Sequence, residues 1–336
     1  MHNLLLRLAG KVPDGLLAQS RAWLAEDQVE LVARAVAFAA VAQSVPLLGD
    51  DVVLLGELLG DYGADPSILS EVETAQYDPA PLFGFRARRS SVDAERRPVA
   101  APLDEVDVAA LAGVGEEPGL HGLWRAWRYP LNGSPWPPPR RVYLVEADPD
   151  VALVGLTARL QRRLAGVGET DPQVETYPVN AELPAYQRLA LAYGVLLWAS
   201  TPEPDIQIAS IFDGFDPQAG PSTGKDRALI DDPEECRRVV GYLNAGQSLL
   251  VTTSAMDDVV DRWRRGVVPM NVRTDGVWIW TDATTYYLER YNLRPDRGLL
   301  RHIRAADYRM PEVDGVAIHR TTAVLQEPPE GRPLWV

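Results

Sequence analysis

The stretch VVPMNVRTDGVWIWTDATTYYLERYNL, residues 267–293, gathers two tryptophans, three tyrosines and two aspartates around one turn signal. Asp275-Gly276 between two β-rich runs predicts a hairpin whose two-residue turn needs positive φ. On the second strand Trp278 and Trp280 lie two apart and share a face. Thr281 or Asp282 then suits the N-cap of a helix over ATTYYLERY, with Tyr287, Leu288 and Tyr291 on one side. The stretch therefore reads as hairpin followed by helix, with the tryptophan face packed on that helix. Asp275 and Asp282 acquire separate structural jobs, one in a turn and one at a cap. Should the cluster face outward instead, Arg273, Trp278, Trp280, Asp282 and Tyr286 are its docking residues, since Trp, Tyr and Arg dominate interface energies. A carboxylate site built from Asp275 or Asp282 with Arg273 is the catalytic alternative.

Upstream of this stretch, DDPEECRRVVGYLNAG (231–246) carries a helix start. Asp232 is placed as N-cap, Pro233 follows, Glu235 completes a capping box and Gly246 stops the helix. A strand, SLLVTTS, precedes the hairpin, and further helices fall near 282–292, 296–306 and 314–326. Residues 121–230 alternate strand and helix: GLWRAWRY, RRVYLVEA, a helix capped at Asp148 with Leu153, Leu156, Leu160 and Leu164 as its buried stripe, QVETYPV, LPAYQRLALAY, GVLLWAS and IQIASIFDG. That alternation predicts an α/β segment with a central sheet. Residues 1–75 read as helix throughout, with Val29, Val32, Val36 and Ala40 lining one side of DQVELVARAVAFAAVAQ, Glu30, Arg34 and Ala37 lying opposite, and Gly63 closing a third helix. Between them, 76–120 is charged and proline-punctuated, the pattern of a linker or long exposed loop. The expected class is thus α+β: a helical domain at 1–75, a linker, an α/β domain at 121–230 and an α+β module at 231–336 packed on the preceding sheet.

Bulk composition narrows the functions. The 336 residues carry 47 acidic against 33 basic side chains, a net charge of −14 that repels nucleic acid and anionic membrane and favours cationic partners. One cysteine, Cys236, and four scattered histidines (His2, His121, His302, His319) leave no disulfide and no metal-ligand spacing, so neither metal nor cofactor is expected. No apolar run is long enough to span a bilayer and no signal-peptide core is visible, which predicts a cytoplasmic protein.

Individual motifs resolve the same way. GPSTGKD (220–226) follows a strand, but only three residues separate Gly220 from Gly224, and Asp226 follows Lys225 where a phosphate loop needs a hydroxyl. It reads as a connector. Cys236 shares a helical face with Val239, Val240 and Leu243 and reads as a buried, inert thiol. His302, between Arg301 and Arg304, reads as a solvated helix residue. In LWRAWRY, Trp124, Ala126 and Arg128 share one strand face and Arg125, Trp127 and Tyr129 the other, which suits a core with snorkelling arginines better than a base-stacking surface.

GYLNAGQSLLVTTSAMDD and RTDGVWIWTD…YYLERY together resemble a C-terminal module of uncharacterised actinobacterial proteins, some associated with toxin–immunity or other conflict gene sets. The likeness spans about residues 236–327 and implies no catalytic residue. The resulting expectation is a cytoplasmic, non-enzymatic interaction protein of immunity or adaptor type, with a protein partner and scope for self-association. A structural subunit of a homo-oligomer and an enzyme of unrecognised type are the two rivals.

Overall fold

A computed structural model of the chain describes residues 1–89, 103–131, 137–212, 214–216, 220–222 and 229–327. The protein is α+β and divides into two compact units, Met1–Thr201 and Pro202–Val336. Among the described residues, no helix is long and apolar enough to cross a membrane.

The first unit begins with α1 (His2–Arg7), α2 (Asp14–Ala25), α3 (Val29–Ala42) and α4 (Gly49–Asp61), and a short parallel pair, β1 (Leu47–Leu48) with β2 (Thr74–Ala75). Gly63, at φ +68°, takes the left-handed conformation expected just past the end of α4. On α3, Val32, Val36 and Ala40 are buried as the periodicity implies, but so is Ala37; the outward side is Leu31, Arg34 and Phe38.

A five-stranded sheet follows, built from β3 (Phe83–Arg86), β4 (Leu120–Pro130), β5 (Arg140–Ala147), β6 (Gln173–Pro178) and β7 (Val195–Ala199). β4 pairs antiparallel with β5 along one edge and with β3 and β7 along the other, and β5 pairs parallel with β6. Helices α5 (Glu105–Gly115) and α6 (Leu153–Gly166) bury Val114, Leu156, Leu160 and Leu164 against Leu123, Tyr143 and Val145 on one face. α7 (Ala185–Tyr193) lies on the chain between β6 and β7.

The expected linker at 76–120 is corrected by this arrangement. β3 joins the sheet and α5 covers it; the remaining part of that stretch, 90–102, lies outside the described residues. Nor do residues 1–75 stand apart. Arg21 of α2 reaches Glu175 of β6 at 2.6 Å with both side chains sealed, Arg128 of β4 reaches Asp14 of α2 at 2.7 Å, and Gln187 of α7 donates to the Leu6 carbonyl. A sheet with two apolar faces needs cover on both, and α1 and α2 belong to the second layer. The alternating faces of β4 are as read, with ion-paired arginines in place of snorkelling ones: Arg125 meets Asp107 of α5 and Arg128 meets Asp14 of α2. The α6 start moves as well. Its N-cap is Ala152, and Asp148 instead holds His121 at 2.8 Å.

The second unit contains a four-stranded sheet in the order β11 (Gln247–Leu250), β14 (Val272–Thr274), β15 (Trp278–Thr281), β8 (Gln207–Ile208). Two smaller pairs accompany it, β9 (Gly214–Asp216) with β10 (Gly220–Ser222), and β12 (Ala255–Met256) with β13 (Val268–Pro269). Helices α8 (Pro233–Ala245), α9 (Asp282–Tyr291), α10 (Arg297–Ala305) and α11 (Gly315–Gln326) complete it. The core joins Val239, Tyr242 and Leu243 of α8, Trp280, Leu288, and Leu299, Leu300 and Ile303 of α10. This unit starts at Pro202, some thirty residues before the expected boundary at 231, because β8 pairs with β15. Gly224, Lys225 and Asp226 of the connector motif lie outside the described residues.

Candidate docking surface

The hairpin that opened the sequence reading forms, with Val272 opposite Thr281 and Thr274 opposite Ile279. Its turn is wider than the expected two-residue form, and only Gly276 takes positive φ. The reason is the Asp275 side chain. One carboxylate oxygen accepts the Val277 and Trp278 N–H groups at 2.9 and 2.7 Å, folding the chain back on itself. The other accepts the Tyr242 hydroxyl at 2.6 Å and faces His302 Nε2 at 2.9 Å. Asp275 is buried, and burial together with this bond pushes the Tyr242 hydroxyl pKa up, keeping it a donor. His302 is therefore not a free, solvated residue; it ties α10 to the hairpin, and Asp275 links both to α8.

The tryptophans follow the hairpin inward. Trp280 is 0% exposed, stands 6.1 Å from the Tyr242 ring and donates its indole N–H to the Leu243 carbonyl. It shares a core with Leu288 of α9, but its direct polar and ring partners are on α8. Gly246 is a glycine for this packing: a Cβ there would run into the Trp280 ring, and the backbone is extended, not left-handed. Trp278 is half-buried against His302, at 6.4 Å between rings, and against Gly298 of α10. The expected packing on α9 is thus replaced by packing mainly on α8 and α10.

Arg273 and Asp282 are paired with each other at 2.6 Å, and Asn271 donates to the second Asp282 oxygen at 2.7 Å. Arg273 also donates to the carbonyls of Asn244 and Gly246, closing the C-terminal end of α8. Asp282 is consequently not a cap; Thr281 is the N-cap residue, without a side-chain cap bond. Of the catalytic alternative, the pairing of Asp282 with Arg273 is present, whereas Asp275 is bonded to Tyr242 and His302, and the two aspartates share no partner. Of the five residues read as docking candidates, Trp280 is sealed in the core and Arg273, Asp282 and Tyr286 are committed to internal bonds. Cys236 is half-buried at the rim of this core, and burial raises its thiol pKa.

Tyr286 points to the surface that sequence reading missed. Its hydroxyl donates to Asp258 at 2.9 Å, and the Tyr291 hydroxyl donates to the same oxygen. The other Asp258 oxygen accepts the N–H groups of Val260 and Asp261 at 2.9 and 3.2 Å. Burial pushes this carboxyl pKa up, but the bonds donated by Tyr291, the Asp261 N–H, Tyr286 and the Val260 N–H outweigh it and hold the group below its ordinary value. Tyr287 contributes too, accepting the Val259 N–H at 3.1 Å. Three tyrosines of α9 thereby anchor the loop between β12 and β13.

The loop is also tied within itself. Asp258 N–H donates to the Arg264 carbonyl, Arg264 N–H to the Asp261 carbonyl, and Gly266 N–H to the Asp257 carboxylate, each at 2.9 Å. Gly266 supplies the left-handed residue, at φ +59°. Trp263 is 95% exposed, and Val260, Arg262, Arg265 and Val267 of the same loop are exposed with it. DDVVDRWRRG carries a readable loop signal in its aspartates and final glycine. Nothing in the local pattern separates an outward Trp263 from the inward Trp280, because the difference lies in which helix each strand or loop meets. No protein-family model matches this chain, and no curated protein or solved structure does either.

Proposed function

We propose that this chain is a non-enzymatic protein-interaction protein that docks another protein through the Trp263 loop. One observation carries the reading: a loop bonded down at Asp258 by tyrosines from α9 holds an almost fully exposed tryptophan outward. A loop ordered before binding loses little conformational entropy on docking, so more of the indole's burial appears as affinity. Tryptophan and arginine are the side chains that most often dominate such contacts. The partner surface that fits is an apolar pocket for the indole with carboxylates at its rim for Arg262 and Arg265. The net charge of −14 acts at longer range and favours a partner that is basic overall. An adaptor or immunity-type role in the cytoplasm is the setting we attach to this reading.

Site-specific photo-cross-linking tests it. A photoreactive side chain replacing Trp263 is expected to trap one foreign protein in cells, while the same group replacing Phe38, an exposed apolar position in the first unit, traps none. Cross-links from position 263 only to further copies of this chain would make it a homo-oligomer subunit instead. Absence of any specific adduct at 263 would contradict the docking role.

A further inference from the structure

We infer that the outer face of α10 is a binding site for a carboxylate-rich peptide segment, a site independent of the Trp263 loop. Arg294, Arg297, Leu300, Arg301 and Arg304 line an open cavity of about 440 Å³ in the second unit. Residues 294–309 hold five arginines against two aspartates, in a chain whose overall balance is −14. Both aspartates are occupied: Asp296 caps Gly298 and Leu299, and Asp307 pairs with Arg238. Arg304 has Glu235 at 2.7 Å. Arg297 and Arg301 are exposed and have no carboxylate within ion-pair distance among the described residues.

Left alone, this face is electrostatically unfavourable. Arg297, Arg301 and Arg304 are three or four residues apart, so they stack on one helical stripe as like charges. Arg297 also opens α10, at the end where the helix dipole disfavours a cation. An anion that bridges the stripe reverses both effects. From Arg297 to Arg304 the helix rises roughly 10 Å. A single phosphate group reaches over part of that length, whereas alternate side chains of an extended peptide recur about every 6.6 Å and meet successive arginines. A polynucleotide also has the length, but the cavity lining offers no aromatic platform for bases, its apolar element being the buried Leu300. Arginine favours carboxylates through its planar, two-pronged donor geometry.

Fluorescence anisotropy with labelled hexaglutamate reads this directly, using the full chain and the Arg297→Ala/Arg301→Ala variant. The wild-type protein is expected to bind the peptide with an affinity that falls as salt rises, and the double variant to lose roughly tenfold or more while its melting temperature stays unchanged. A Trp263→Ala chain is expected to bind hexaglutamate as the wild type does, which separates this site from the docking loop. Failure of the wild type to bind, or equal binding by the double variant, would overturn the inference. So would a single-stranded RNA hexamer, or inorganic phosphate at equal concentration, displacing the peptide through the same two arginines.

Discussion

At the residue scale, the side chains that organise both units are buried aspartates whose partners come from distant parts of the chain. Asp275 joins Tyr242 and His302, Asp258 joins Tyr286 and Tyr291, and Asp107 joins Arg125, Arg141 and Tyr143. Sequence spacing shows the aspartate and the turn or cap beside it, but not the partner. Glu235 illustrates this. Three residues after Asp232 it completes a capping-box pattern, yet its carboxylate is taken by Arg304 and Tyr308, far along the chain. Asp232 is the N-cap all the same, accepting the Glu234 N–H, but the box does not form. Asp104 is the counter-example in the first unit, a cap whose box with Asp107 is complete and whose carboxylate is also gripped twice by Arg141. Those Arg141 bonds hold the Asp104 carboxyl at about 2 against an ordinary 3.8, although partial burial works the other way. A depressed folded value means that its stabilisation is present above pH 3.8 and is lost as pH falls from there toward 2. Asp104→Asn is therefore expected to destabilise the protein by about 1 kcal/mol at neutral pH, after screening at this partly exposed site, and by nearly nothing at pH 2. Urea unfolding of both proteins across that range checks the sign.

At the element scale, helices and strands with a clear apolar period were legible: α2, α3, β4, β5 and α8–α11 lie where the pattern puts them. Elements whose inward side mixes small apolar residues with a buried charge were not. α5 is mostly small residues around the buried Asp107, so its covering role left no periodic trace, and it reads as part of a linker. The Trp263 loop failed for the complementary reason. Its order comes from tyrosines on α9, which from sequence look like a helix face or an interface. If Asp258 is the anchor, Asp258→Ala leaves two tyrosine hydroxyls and two backbone N–H groups without their acceptor. The local cost is on the order of 2–3 kcal/mol. Hydrogen exchange of residues 259–266 is expected to accelerate by roughly a hundredfold, with the α8 and α10 amides unaffected. Equal protection in the two proteins would mean that the loop is held by something other than Asp258.

At the scale of the whole molecule, the α+β class followed from the alternation of strand and helix, whereas the unit boundaries did not. Thr201/Pro202 divides the chain because β8 pairs with β15 and because Arg21, Asp14 and Gln187 bind the N-terminal helices into the first sheet's unit. The Arg21, Asp14 and Gln187 bonds each span more than a hundred residues of sequence, beyond the reach of local pattern. The account's central claim is a division of labour between two tryptophans of the second unit, Trp280 building the core and Trp263 serving a partner. Thermal unfolding of Trp280→Ala and Trp263→Ala, each paired with affinity for the protein trapped at position 263, tests it most directly. Trp280→Ala is expected to cost about 3–5 kcal/mol of stability. Trp263→Ala is expected to melt with the wild type, within about 0.5 kcal/mol, and to lose about 2 kcal/mol or more of binding. A Trp263→Ala protein that binds with unchanged affinity, or one that unfolds as readily as Trp280→Ala, would contradict the account.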